Sequence, residues 1–390
     1  MVIVIAILGL GVLAMSIMGP ILPLYLTSID VTPAVLGLLL STGMVGMAFG
    51  EVFWGWAADK TGMKLPFYVG TFVCALAVLL IVLTPYILVL FAAFFLWGLV
   101  RSALFGPGRG YIGTYAPTSK KATFMGIFAV VLATSRSIGA LPSGFIAEIW
   151  GYRSVFVVSA GISLMAGLLL VLGFKKIGSR GKTTASGIKP SVEILQSSHT
   201  NFSLKSLSAQ CVVTSLRFLG LGALIAFLPL MATEVIGVGA TEVGILLSVG
   251  GVTSVLLGIP VGMIADKFGK KALMVIGLTV SALAMAGIAY SQSYLSLMGF
   301  VIANSVGMIV FSPAAMSIIS DSVPLEKQST AMGFYGGVCE NSGIIIGSAL
   351  GGFIWSTWGP QATFLMGAIS SGIGVVVCIA WVKERLNKAM

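Results

Sequence analysis

Twelve times along the chain an apolar run of about twenty residues is broken by a short group of turn formers or charges. Wound as an α-helix at about 1.5 Å per residue, such a run crosses a hydrocarbon layer about 30 Å thick. The runs fall at about 2–28, 34–58, 66–83, 86–114, 122–147 and 152–174, then at 208–233, 241–264, 271–290, 294–318, 328–354 and 361–382. They are continuous rather than alternating, so their backbone polar groups are satisfied within helices and not around a β-barrel. Hydrophobic residues make up 57% of the 390, more than a water-soluble fold of this size can keep from solvent. The expected fold class is an all-α membrane protein of twelve transmembrane helices.

A polar stretch rich in Ser, Thr, Gly and Lys separates the sixth run from the seventh. It divides the chain into a first six-helix bundle (1–174), a linker (175–207) and a second six-helix bundle (208–390). The formal charge of +10 raises the question of nucleic acid, but its placement argues against that partner. With both termini on one side, one set of loops and tails carries every loop Lys and Arg except Arg153. That asymmetry is the signature of topology, and it puts both termini and the linker in the cytoplasm of an inner cell membrane. The first run begins at Met1 without a basic leader and is longer than a signal peptide, so it reads as the first span. Cys74, Cys211, Cys339 and Cys378 all lie inside runs with no paired spacing, and read as small packing residues.

The two halves repeat one another. GLLLSTG (37–43) matches GILLSVG (244–250), and Asp59, Lys60, Gly62 and Lys64 match Asp266, Lys267, Gly269 and Lys271, all displaced by 207. Gly144, Trp150-Gly151 and Phe156 match Gly352, Trp358-Gly359 and Phe364, displaced by 208. Two six-span halves in parallel repeat predict a binding site between them near the bilayer midplane, with the halves rocking around it.

On these residues the chain resembles the major facilitator superfamily of secondary transporters over essentially its whole length. The family signature after the second span is G-x-x-x-D-(R/K)-x-G-(R/K)-(R/K). GMIADKFGKK (262–271) meets all six fixed positions, and GWAADKTGMK (55–64) meets five, with Met63 where a basic residue is usual. An Arg in the fourth span followed by small residues, here Arg101 with Gly106 and Gly108, is a second family feature. A third is the Gly/Pro-rich antiporter run, here SRSIGALPSG (135–144), in which Ala140 stands where the family has Pro and Pro142 is displaced. The resemblance implies the twelve-helix fold, alternating access and kinship with the drug:proton antiporter-like branch.

Read from the residues alone, the duplicated cluster is mechanical. Each Asp closes a helix, Gly62 and Gly269 permit tight turns, and the lysines hold the loop at the positive face. Asp59, Lys60, Gly62, Lys64, Asp266, Lys267, Gly269 and Lys271 form a candidate cytoplasmic gate. Arg109, Glu51 and Asp321 join it, as charges near the inner ends of spans.

A charge near the bilayer centre costs about 2.5–3.5 kcal/mol or more, so it needs a partner, water or a function. Glu340 and Arg136 fall at middle depth, Arg217 within reach of that level, and Arg101 in the fourth span. With Trp97, Asn304 and Asn341 by helix stripe, they are the candidate substrate and proton-coupling residues. Glu340 is the expected proton carrier, because substrate and a nearby Arg can toggle its protonation. The single histidine, His199, lies in the linker, and no Cys/His/Asp cluster has ligand spacing. Neither enzyme chemistry, a metal nor a cofactor is expected. The expected function is secondary transport in the lipid bilayer by a monomer, moving a small-molecule substrate. Proton-coupled efflux of amphipathic compounds leads, with carriage of a small organic anion or metabolite as the alternative.

Overall fold

The computed structural model describes residues 2–105, 107–108, 121–177, 204–265, 269–322 and 334–382. Among them twelve helices are long and apolar enough to span a membrane. We label them α1 (Ile5–Ser28), α2 (Pro33–Ala58), α3 (Lys64–Leu83), α4 (Ile87–Leu104), α5 (Val130–Trp150) and α6 (Tyr152–Leu172). The second six are α7 (Ser208–Val235), α8 (Ala240–Leu257), α9 (Lys270–Ala289), α10 (Tyr294–Ile319), α11 (Tyr335–Trp358) and α12 (Pro360–Trp381).

Local chemistry explains where the helices stop. Pro33 and Pro360 stand in the first turn of α2 and α12, where a missing N–H costs nothing. The repeated Trp-Gly pairs make equivalent turns, with Gly151 at φ 81° and Gly359 at φ 86°, a backbone that a side chain strains. Gly62 at φ 82° closes α2, its N–H donating to the Ala58 carbonyl at 2.9 Å. Gly269 differs from the expectation of a second tight turn. At φ −55° and ψ 140° it caps the start of α9 in a conformation open to any residue. The intervening 266–268 lie outside the described residues. The fourth run, expected to reach 114, ends its α-helix at Arg101 and adds a 3-10 turn over Ser102–Leu104.

Many hydroxyls inside the spans are satisfied by their own helix. Ser41, Ser248 and Ser305, for example, donate to the carbonyl one turn earlier at 2.7–2.9 Å. Within the first six spans α1 packs on α5 and α6, and α2 on α4. Within the last six, α7 packs on α11 and α12, and α9 on α10 and α12. Two pairs make the main crossings between the sets, α2 with α11 and α5 with α8, while α7 also touches α1 and α2 more lightly. The largest buried cluster draws on both sets, joining Leu39, Phe94 and Phe156 to Phe227, Leu246, Trp355 and Phe364. It lies toward the end carrying the short turns at 29–32, 151, 236–239 and 359, opposite the end where one helix stops at Ile177 and the next begins at Leu204.

Candidate functional site

Both crossings between the two sets begin on glycines of the repeated phrase. A Cβ on Gly37 would stand 3.1 Å from the Gly352 Cα and strike the Ser348 carbonyl, so α2 and α11 touch backbone to backbone. A Cβ on Gly244 would stand 3.0 Å from the Ala140 carbonyl and 3.2 Å from the Gly144 nitrogen, which makes the same contact between α8 and α5. Next to the first contact Ser41 Oγ bonds the Ser348 hydroxyl at 2.8 Å and donates to the Ile345 carbonyl at 2.9 Å. At the helix start the Ala34 N–H donates to Ser356 Oγ at 3.1 Å.

The equivalent place on the other crossing holds a charge. The Thr241 N–H donates to Glu148 Oε1 at 3.0 Å, and the Thr241 hydroxyl donates to Oε2 at 2.7 Å. A carboxylate therefore sits on the first turn of α8, where the unpaired N–H groups and the helix dipole favour it. Glu148 is absent from the sequence-derived site. Its only signal is position, since it stands where the repeat places Ser356.

Below these seams lies a charged layer. Counted along each helix from the short-turn end at about 1.5 Å per residue, Arg101 and Arg136 lie about 21 Å down. Glu51 and Glu340 lie about 27 Å down on the same count. Arg101 stacks its guanidinium 4.3 Å from the Trp97 ring centroid. Its Nη2 sits 3.1 Å and 3.0 Å from the sulfurs of Met44 and Met47 on α2. Arg136 on α5 is exposed, with its guanidinium 5.8 Å from the Phe105 ring. Arg136 and Glu51 are both near enough to act on Arg101 electrostatically.

Glu51 reaches across to the opposite set. The point where a Cβ would stand on Gly337 is 3.8 Å from Glu51 Oε2, and the same point on Gly336 is 3.8 Å from Glu340 Oε2. Two carboxylates from opposite sets thus flank one pair of adjacent glycines at the start of α11. That start is a π-helical segment, Tyr335–Glu340, whose wider turn is a departure often met at functional sites. Asn341 follows it and is buried.

The other expected site residues lie elsewhere. Arg217 is 0% exposed inside the last six spans, with Nη2 donating to Asn304 Oδ1 at 3.2 Å. Lys60 caps the Trp56 ring at 4.3 Å, and Lys271 Nζ donates to the Ile379 carbonyl at 2.8 Å, holding the end of α12. Lys64 begins the helix that opens α3. Asp59 and Asp321 lie on helices, but their side chains fall outside the described residues, as do Arg109, Asp266 and Lys267 altogether.

Twelve spans, two matched crossings and a charged layer between the two sets define a polytopic membrane carrier. The pattern of the Major Facilitator Superfamily matches residues 4–208 and 210–389, and the chain belongs to that family of transporters. It is 24% identical to the multi-drug resistance efflux pump PmrA homolog of Lactococcus lactis, over 94% of this chain and 89% of that protein. It is 23% identical to the quinolone resistance protein NorA of Staphylococcus aureus, over 96% and 94% respectively. Among solved structures it resembles the nucleoside transporter NupG, with a TM-score of 0.78, 14% identity and coverage of 97% and 98%. The last of these likenesses speaks to the fold.

Proposed function

We propose that the chain exports small amphipathic organic compounds in exchange for protons, with the charged layer as its coupling site. The observation that carries this reading is the pair Glu51 and Glu340, presented from opposite sets against Gly336 and Gly337. A proton gained or lost at either carboxylate changes the electrostatic cost of bringing the two sets together, which couples protonation to rocking. Arg101 and Arg136 hold the layer's charge near balance when the carboxylates are ionised. The names of the two bacterial relatives, a multi-drug efflux pump and a quinolone resistance protein, support this substrate class.

Residues 1–174 and 208–390 act as the two moving bundles, joined by the 175–207 linker. One polypeptide supplies both sides of the layer, so a monomer suffices. The excess of Lys and Arg at the linker end puts that end in the cytoplasm, with both termini. The sealed seams then face outward, and the chain is in an inward-facing state.

The test is transport into proteoliposomes under an imposed pH gradient. Glu340→Gln keeps the shape and removes the titrating proton. It is expected to abolish accumulation driven by the gradient while leaving downhill exchange of substrate. Accumulation that is indifferent to pH and to Glu340→Gln would refute proton coupling. One observation favours a second reading, since Arg101 and an exposed Arg136 stand together on the first six spans and suit a carboxylate-bearing substrate. Selective loss of anionic over cationic substrates in Arg136→Gln would decide for it.

A further inference from the structure

Arg217 is the one site residue whose surroundings the transport reading leaves unexplained. Its side chain is fully buried, and only Nη2 has partners, the Asn304 side chain at 3.2 Å and backbone carbonyl at 3.5 Å. Nε and Nη1 have no hydrogen-bond partner among the described residues. A buried guanidinium left in this state is far more costly than a buried neutral group, because desolvation is not offset.

Two further buried hydroxyls without partners among the described residues, Ser281 Oγ and Ser371 Oγ, lie at the same level. Helix register shows this. On α12, Gly367 abuts Gly220 of α7 and Met285 of α9, and Gly374 abuts Leu216 of α7 and Leu278 of α9. Ser371 lies between those glycines, Arg217 between Leu216 and Gly220, and Ser281 between Leu278 and Met285. From α10, Gly307 packs directly on the Ser281 hydroxyl, one turn beyond Asn304. Four helices therefore bring Arg217, Ser281, Asn304 and Ser371 to one layer inside the last six spans.

The groups in this layer share one chemistry. Arg217 offers Nε–H and Nη1–H, the two serines offer O–H, and the Asn304 amide offers N–H once its oxygen is taken by Arg217. Arg217 Nε and Nη1 and the two serine hydroxyls have no acceptor among the described residues, and none of those residues sets a negative charge against the guanidinium. A cation is excluded by the guanidinium, and a water would satisfy donors without offsetting the charge. We propose that this layer binds a small inorganic anion of halide size, chloride being the probe, as a structural counter-ion in the last six spans. The site is separate from the charged layer between the two sets, and the proposal does not depend on the transported substrate.

The test uses the purified full chain in detergent, with chloride replaced stepwise by gluconate at constant ionic strength, and thermal unfolding as the readout. Chloride and bromide are expected to raise the unfolding midpoint saturably, and bromide to give an anomalous peak beside Arg217 in a crystal. Ser281→Ala with Ser371→Ala is expected to raise the half-saturating chloride concentration about tenfold or more, since a hydrogen bond to a charged group is lost at each position. Ser370→Ala is the control, because that hydroxyl already donates to the Gly367 carbonyl at 2.9 Å. Arg217→Gln should be blind to chloride if it folds, and the serine pair carries the test if it does not. Equal midpoints in chloride and gluconate would overturn the proposal. So would a chloride effect that rises without saturation and equally in the serine double variant, which is a bulk salt effect.

Discussion

The α2/α11 crossing and the α5/α8 crossing are built to one plan and finished with different chemistry. Gly37 meets Gly352 in the first, and Gly244 meets Gly144 in the second. In each, a backbone N–H at the start of the even-numbered helix donates to a side chain on its partner, Ala34 to Ser356 and Thr241 to Glu148. The first acceptor is a neutral hydroxyl and the second a carboxylate, which also takes the Thr241 hydroxyl. The first seam compensates lower down with Ser41 and Ser348, where the second has Ser248 bonded to its own helix. A duplicated scaffold thus fixes where two surfaces touch, while single residues set how firmly each contact holds.

Overpacking either crossing is expected to have the largest effect. Gly352→Leu and Gly144→Leu both push side-chain atoms into backbone, at Pro33 and Ala34 in one case and at Ala240 and Thr241 in the other. Overpacking of this kind costs about 1–3 kcal/mol, so transport should fall about ten- to hundredfold through loss of the sealed state. Cysteine labelling at the short-turn end, with unfolding as a check on folding, measures it. A large loss at one glycine and none at the other would break the equivalence of the seams.

Removing the carboxylate comes next. Glu148 is exposed, so solvent screening limits its worth, and Glu148→Ala should raise labelling at that end about two- to fivefold. Glu148→Gln, which keeps an acceptor for the Thr241 N–H, should do less. Ser356→Asp would sharpen the comparison by giving the first seam a charge, and is expected to lower labelling there. The smallest effect belongs to Ser41→Ala. Its hydroxyl already bonds the Gly37 carbonyl at 2.8 Å, so losing the contacts to α11 should cost about 1 kcal/mol or less in unfolding and leave transport unchanged.

Much of this architecture is legible in the residues. Hydrophobic length marks the spans, because a helix must cover the hydrocarbon whatever its neighbours are. The repeat marks Gly37, Gly144, Gly244 and Gly352 as equivalent without saying that they meet. Glu51 and Asp59 look alike in sequence, two charges near the end of α2, yet Glu51 turns toward Gly337 on the far set. Glu148 escapes notice because a lone carboxylate near the end of a span reads as a boundary charge. Arg217 reads as a cavity residue by depth alone, since depth along a helix is a property of position and facing direction is not.

Membrane character, the number of spans, the twofold internal repeat and the family all follow from the residues in their order. Each rests on length, period or a local phrase, which involve neighbours along the chain. Which charges share a layer, that a carboxylate closes one seam and a hydroxyl the other, and that Arg217 is enclosed with Asn304 emerge only once the helices are packed. Those outcomes depend on how far each helix is rotated about its axis, and that angle is set by close packing of small residues between helices far apart in the chain.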